Sequence, residues 1–495
     1  MYFKLDDVLV DLSSIGVTLY SILFISLICI SVYLSHRKEV TPASYFFSSY
    51  ETHWFLMGVA VVSSCIFGVY VLGIMPMKMV VGSPLVFGVI SMLMLVVMGL
   101  LIAPNLLKNK VRTIPEFFEV RFNKSCRLFL STIYIVCNIF IRLLVILFIG
   151  NFLINKISGA DAYSTILFIL IITGTYVILD GFRAEVYVGI VQVSFILFGV
   201  IAFNWWMNSQ GIGMSTIGNE IFANWNGGIK EASNIDWIKV ILGLSILGFW
   251  FWCADQMIVQ KVISTASISS VKKTISFSAA LQILPIFAIL IPGILFIKLP
   301  SGVISSTSIS FPEGLQGGII IAIASALMAS IASLYNSTSL LVTYDFYRHF
   351  KSDASDRELI FVGRMTTLVI LFFSILIIPI CQSLSQNFCL TLAKTFAYIG
   401  CMVAAIFAVG LANNHIKALS ALLTLYTTTM LICFRTLIDI FFSQYLGQSG
   451  FVHLIVGSTF LEFSIFVFAM SVFLLFFFDI IERYQYTLSR FRRIF

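Results

Sequence analysis

The chain has 495 residues, of which 59% are hydrophobic and only 11% are charged, and its mean hydropathy is +1.02. Soluble domains are roughly 45–50% apolar and about 25% charged, so this composition excludes a water-soluble protein and places the chain in a lipid bilayer. The formal net charge of +7 indicates membrane topology and not nucleic-acid binding, because of where the basic residues lie.

About thirteen apolar runs are long enough to cross a bilayer, since about 20 apolar residues span its hydrocarbon core as a helix. In chain order these predicted spans cover residues 15–35, 54–75, 83–105, 128–153, 161–179, 185–207, 238–258, 275–298, 316–345, 360–382, 391–411, 417–440 and 455–480. The predicted fold class is therefore an all-α integral membrane protein. The longest hydrophilic loop, 208–236, is too short to form a core of its own.

Basic residues concentrate in alternate loops between the predicted spans. They are Arg37, Lys38, Lys108, Lys110, Arg112, Arg121, Lys124, Arg127, Lys261, Lys272, Lys273, Arg348, Lys351, Arg357, Arg364, Arg483, Arg490, Arg492 and Arg493. This positive-inside pattern predicts an outside N-terminus and a cytoplasmic C-terminus. We expect a plasma membrane location, such as a bacterial inner membrane.

The second span, WFLMGVAVVSSCIFGVYVLG, carries small and polar residues at mid-membrane. The patch consists of Ser63, Ser64 and Cys65, and it is followed by Ile66, Phe67 and Gly68. Such a patch is typical of an unwound helix break whose carbonyls line a cavity or bind an ion. Close packing between helices explains it equally well, so both interpretations stay open.

The seventh span, GLSILGFWFWCADQMIVQ, places an aromatic block, 249–252, before Asp255 and Gln256. Aromatic residues usually mark the membrane interface, but a mid-span position beside a carboxylate favours a cavity wall or gate. Three more polar side chains lie within spans four, eight and eleven, namely Arg142, Gln282 and Lys394. Each is a candidate for a pathway or structural role, because polar groups in lipid must face protein or a cavity.

The ninth span contains SALMASIASLYNSTS, residues 325–339. Ser330, Ser333 and Ser337 share one helical stripe at i, i+3 and i+7, and Asn336 lies roughly 100° away. A hydroxyl stripe can bind neighbouring helices together, or it can supply oxygen ligands to a small cation such as Na⁺. The periodicity leaves both open.

Several ordered blocks between about Trp54 and Arg435 resemble the sodium:solute symporter family. They are RTIPEFFEVRF (112–122), FWFWCADQMIVQKVIS (249–264), QILPIFAILIPG (282–293) and GLQGGIIIAIASALMASIASLYNSTSLLVTYDFY (314–347). The second is similar to the family's aromatic-W-C-x-D-Q-x-x-V-Q-R block. The resemblance implies two inverted five-helix repeats, each beginning with a broken helix.

By this resemblance the chain divides into five parts. They are an extra helix with a cytoplasmic loop (1–53), the first repeat (54–207), an external loop (208–237), the second repeat (238–411), and two C-terminal helices with a basic tail (412–495).

The resemblance also implies a sodium site between the first broken helix and span nine. Its backbone ligands correspond to Ser63, Ile66 and Ala326, and its paired hydroxyl positions to Ala329 and Ser330. Because Ala329 has no hydroxyl, we expect one coupling Na⁺ at a weakened site.

A second sodium is not expected. In YVGIVQ, residues 187–192, Gly189 stands where some family members have a carboxylate. Ala332 likewise replaces a serine of that second site and leaves Ser333 alone. Arg142, Gln192 and Ser333 remain as polar candidates for the pathway or for structure.

Comparison with the family's sugar-binding branch gives a candidate substrate cavity and gate. Its members here are Cys65, Tyr70, Trp250, Phe251, Asp255, Gln256, Gln282 and Lys394. Cys65, Gln282 and Lys394 differ from the residues of that branch, so a sugar is weakly supported. A cationic Lys394 would suit a sugar acid such as sialic acid, or would pair with a structural neighbour.

The main hypothesis is a secondary active transporter that moves a small polar solute together with Na⁺ by alternating access. A carrier of the same fold with lost or altered sodium coupling is the alternative. A solute-sensing membrane protein is a third, and it would be expected to add a signalling domain where only about fifteen residues follow the last span. An enzyme is not expected, because His36, His53, His349, His415 and His453 show no metal or triad spacing. We expect a monomer or weak homo-oligomer that binds lipid and solute but no nucleic acid.

Overall fold

The computed structural model describes residues 21–34, 40–50, 52–76, 83–158, 162–209, 237–265, 267–286, 312, 315–441 and 458–492. Within these ranges the regular structure is helical and contains no strand. The helices are α1 (Ser21–Leu34), α2 (Pro42–Phe47), α3 (Trp54–Val71), α4 (Val86–Lys108), α5 (Ile114–Arg121), α6 (Lys124–Ser158), α7 (Tyr163–Ser209), α8 (Trp237–Ala254), α9 (Gln256–Ile263), α10 (Ile268–Leu281), α11 (Leu315–Phe350), α12 (Asp356–Ser383), α13 (Gln386–Ala412), α14 (Ala418–Phe441) and α15 (Phe460–Arg492). This confirms the all-α membrane fold.

Ten of these helices are long and apolar enough to cross a membrane. One of them, α7, contains the fifth and sixth predicted spans, joined at Gly181, where φ is 60° and ψ is −134°. Only glycine suits this position, because a Cβ there would also lie 2.4 Å from the Tyr45 carbonyl oxygen. The first and eighth spans correspond to the shorter α1 and α10. The 210–236 stretch of the predicted external loop and the end of span eight lie outside the described residues.

Both helices that were predicted to be broken are interrupted, but in different ways. In α3 the interruption is a π-helical segment, Ile66–Val71, so the chain stays helical through the patch. The last part of α8 is the π segment Trp250–Ala254, and the extended backbone of Asp255 (φ −72°, ψ 125°) then separates α8 from α9. A π turn is a common feature of functional sites within helices.

The ninth span, α11, lies at the centre of the fold. Every residue from Ala324 to Leu340 is buried, and the helix packs on α7, α3, α6 and α12. The hydroxyl stripe therefore faces protein and not lipid.

Candidate ion and solute site

The Ser330 hydroxyl meets α3 just before the π segment of that helix. Its Oγ donates a hydrogen bond to the Ser64 carbonyl oxygen at 3.0 Å, and the side chain is fully buried. Ile66 and Ala326 pack in the same buried cluster, and the Ser63 hydroxyl donates to the Ala60 carbonyl at 3.1 Å. The structure thus places Ser330 of α11 against the stretch of α3 that carries Ser63 and Ile66.

The neighbouring Ala329 is buried, with 1% of its surface exposed, and carries only a methyl group. Gly189 of α7 also lies close, since a Cβ on it would be 3.3 Å from Ser63 Oγ. The side-chain oxygens shown at this contact are therefore hydroxyls, and Gly189, which lies close to Ser63 on α7, has no side chain.

Arg142 and Asp255 form a buried ion pair beside this contact. Arg142 Nη1 donates to Asp255 Oδ1 at 3.1 Å, and Nη2 contacts Oδ2. The same guanidinium donates from Nη2 to the Gly68 carbonyl at 2.7 Å, while Asp255 Oδ1 caps α9 by accepting from the Met257 amide at 3.1 Å. Each side chain is 1% exposed, and the pairing satisfies two charges that could not stay buried alone.

Gln282, Tyr70 and Cys65 form a second polar group at α3. Gln282 Oε1 accepts from the Tyr70 hydroxyl at 2.9 Å and from Cys65 Sγ at 3.9 Å. Its amide nitrogen, Nε2, is buried and has no hydrogen-bond partner among the described residues. A buried donor of this kind can bind a solute acceptor.

Aromatic rings surround this group. Phe251 lies with its ring centroid 6.0 Å from that of Phe396 and 6.4 Å from that of Phe87, and Tyr70 lies 6.2 Å from Trp252. All five rings are at most 3% exposed. The site is closed in this conformation.

Several predicted site residues have other partners. Gln256 Oε1 accepts from the Ile114 amide at 2.8 Å, which fixes α5 to α9, and Gln192 Nε2 donates to the Tyr176 hydroxyl at 3.3 Å. Lys394 is half-buried and lies about 200° around α13 from Phe396, because the two are two positions apart. Phe396, on the same helix, contacts the rings of Phe251 and Trp250.

The interpretation of Lys261 and Arg127 as loop charges was wrong. Lys261 is 1% exposed and its Nζ lies 2.7 Å from Glu185 Oε1. Arg127 Nη2 lies 2.6 Å from Asp345 Oδ1, and that carboxylate is fully buried. Both cations belong to the protein interior, because each has a carboxylate partner on another helix.

Sequence reasoning also missed Glu185, Phe87 and Phe396. Glu185 stands at the start of an apolar run, in AEVYVGIVQ, and a carboxylate at such a position is a signal that could have been followed. The two phenylalanines gave no signal among 48 in the chain.

Comparison with known protein families shows which family the chain belongs to. The model of the sodium:solute symporter family matches residues 45–428. The chain belongs to the sodium:solute symporter family. The members it resembles include sodium/glucose cotransporter 1 of Mus musculus, 27% identical over 435 residues (77% of this chain, 65% of that protein). The sodium/glucose cotransporter of Vibrio parahaemolyticus is 25% identical over 417 residues (76% and 77%).

This symporter family member spans 55–66% of the length of the four mammalian sodium/glucose cotransporter 1 proteins that it matches. Its fold is that of a solved Na⁺-coupled sialic acid symporter in a substrate-bound, outward-open state. The TM-score is 0.72, with 19% identity, over 94% of this chain and 96% of that one. The relatives named here are transporters and not enzymes.

Proposed function

We propose that the chain is a secondary active transporter that couples Na⁺ to the movement of a small polar organic solute. The observation that carries this proposal is the contact between the Ser330 hydroxyl and the Ser64 carbonyl, where α11 meets α3 two residues before its π segment. Carbonyls at an interrupted helix together with a hydroxyl are the ligands that transporters use for Na⁺. Membership of the family supports the same coupling ion.

One Na⁺ at this contact would join α3 to α11 through oxygens from both helices. The ion would favour the conformation in which its ligands are assembled, and this difference in affinity couples the ion gradient to the solute. Ser63, Ile66 and Ala326 would supply carbonyl oxygens, and Ser330 the side-chain oxygen. With a methyl group at Ala329, the site should bind Na⁺ weakly.

The solute site is proposed around Gln282 and the surrounding rings, with Phe251 as the gate. The indole nitrogen of Trp252 and Gln282 Nε2 are both buried donors without a hydrogen-bond partner among the described residues. Such donors favour a solute rich in acceptors, such as a sugar or a sugar acid like sialic acid. Relatives named for glucose, myo-inositol and sialic acid support this class.

Topology and assembly complete the proposal. We infer two inverted five-helix repeats, 54–207 and 238–411, with the N-terminus outside and the C-terminus in the cytoplasm of a bacterial inner membrane. The protein would act as a monomer or weak homo-oligomer and bind no nucleic acid.

A carrier with lost or altered sodium coupling is the second candidate. Ala329 and Gly189 favour it, because neither supplies the oxygen that would strengthen cation binding near Ser63. Such a carrier would equilibrate its solute, or would use another ion.

A ligand-stabilisation screen tests the proposal. The melting temperature (Tm) of purified protein is measured against sugars, sugar acids, amino acids and nucleosides, in NaCl and in choline chloride. We expect Na⁺ to raise the Tm and one solute class to raise it further in NaCl than in choline, since ligands that bind the folded state stabilise it. Equal Tm values in the two salts for every solute would instead favour the uncoupled carrier.

A further inference from the structure

Glu185, Lys261, Ser333 and Asn336 form a buried polar cluster that the proposed transport cycle does not use. They come from three helices, α7, α9 and α11, and each side chain is 1–3% exposed. We refer to them as the Glu185 cluster. Glu185 Oε2 accepts from Asn336 Nδ2 at 2.6 Å, and Oε1 accepts from the Ser333 hydroxyl.

The Lys261 ammonium is held by three kinds of oxygen. Its Nζ lies 2.7 Å from the Glu185 carboxylate and 3.3 Å from the Met257 carbonyl, and it donates to the Ser333 hydroxyl. A carboxylate, a carbonyl and a hydroxyl are the oxygen ligands that a small monovalent cation would also take. The lysine head group therefore occupies a shell suited to a free ion.

The position of the cluster connects it to the proposed sodium site. Ser333 lies one helical turn after Ser330 on α11, and Met257 lies beside Gly68 of the α3 π segment. The lysine ammonium is a compact point charge, as a monovalent metal ion is, whereas an arginine guanidinium is a planar fork.

We propose that Lys261 is a resident cation in a second monovalent-cation site formed by Glu185, Ser333 and the Met257 carbonyl. The lysine neutralises Glu185, so the chain needs only one free Na⁺. Removing the ammonium while keeping the carboxylate opens the site to Na⁺. The proposal rests on the proposed function in one respect: the wild type is taken to bind one free Na⁺.

The test is equilibrium binding of ²²Na⁺ to purified Lys261→Met protein, with choline as the replacement cation. Methionine keeps much of the lysine stem and removes the charge, so Glu185 loses its ionic partner. The carboxylate then either binds another cation, as the proposal predicts, or takes up a proton, which would leave the ion count unchanged. We expect bound Na⁺ to rise about twofold, from about one to about two ions per chain, and the Tm of the variant to depend more steeply on NaCl than that of the wild type.

Two variants serve as controls. Lys261→Arg keeps the positive charge and should bind the wild-type number of ions. The double variant Lys261→Met with Glu185→Gln removes both charges and should return the count to the wild-type value. If Lys261→Met is unstable, its rescue by NaCl but not by choline chloride supports the proposal.

Two results would overturn it: an unchanged ion count in Lys261→Met, or equal instability of that variant in both salts. The outcomes also separate this proposal from the proposed function. A wild type without bound Na⁺ and a Lys261→Met variant with about one ion would contradict sodium coupling but support the resident cation. One bound ion in both proteins would support sodium coupling and contradict the resident cation.

Discussion

Ser330 supplies the side-chain oxygen of the proposed sodium site, because its neighbour Ala329 offers only a methyl group. The hydroxyl already contacts a carbonyl oxygen of α3 at 3.0 Å. On binding Na⁺ the hydroxyl would give up this hydrogen bond, keep its proton and coordinate the ion through a lone pair of its oxygen. The affinity of the site should therefore depend strongly on this one side chain.

Replacing Ser330 with alanine should weaken Na⁺ binding about tenfold or more, since an interaction with a charged group contributes about 1.5–3 kcal/mol. Ala329→Ser should strengthen it by supplying a second hydroxyl. The apparent Na⁺ affinity is measured by titrating the Tm with NaCl at constant ionic strength.

Ser325→Ala is the matched control for these two variants. Ser325 is fully buried on the same helix, but its hydroxyl only bonds to the Ile321 carbonyl at 2.7 Å. Its Na⁺ affinity should equal that of the wild type. A Ser330→Ala variant with unchanged affinity would contradict the assignment of the site.

Sequence reasoning found Ser330 and Gln282 because each is a polar residue inside an apolar run, where a functional or structural partner is required. It could not find the pairing of Glu185 with Lys261, because the two lie on helices far apart in the chain. Lys261 also follows an apolar segment, so its charge looked like a topology signal until the structure placed it in the interior.

At the scale of helices, one guanidinium connects both interruptions. Arg142 of α6 donates to the Gly68 carbonyl within the α3 π segment and to the Asp255 carboxylate at the break between α8 and α9. Asp255 in turn caps α9. The ion pair thus holds two interrupted helices against α6, which indicates a role in positioning them and not in direct solute contact.

Asp255→Asn should lower the free energy of unfolding by about 3–5 kcal/mol, because it leaves the Arg142 charge buried without its partner. Asparagine keeps a side-chain oxygen for the α9 cap, so the loss reports on the ion pair and not on capping. Thermal unfolding in detergent measures the change.

Asp353→Asn is the control for this loss, since Asp353 lies in an exposed turn after α11. It should unfold like the wild type. An Asp255→Asn protein as stable as the wild type would show that the pair contributes little to stability.

The helices themselves were predictable, because length and hydropathy set each span. The form of the two interruptions was not. Small and polar residues predicted a break at 63–68, yet α3 continues there as a π helix, whereas the extended residue Asp255 separates α8 from α9. Whether a weak helical segment unwinds or widens depends on the packing around it, which the sequence alone does not specify.

At the scale of the whole molecule, the chain shares its fold with a Na⁺-coupled sialic acid symporter at only 19% identity. The helical framework therefore tolerates wide substitution. Here Gln282 with its aromatic rings, and Lys261 with Glu185, are the groups that would set solute choice and ion count.

Solute uptake into proteoliposomes tests sodium coupling most directly, using the solute class identified by the stabilisation screen. With an inward Na⁺ gradient, we predict accumulation above the external concentration, because the ion and the solute move together. With choline in place of Na⁺, the internal concentration should at most equal the external one. Equal accumulation in Na⁺ and in choline would contradict sodium-coupled transport.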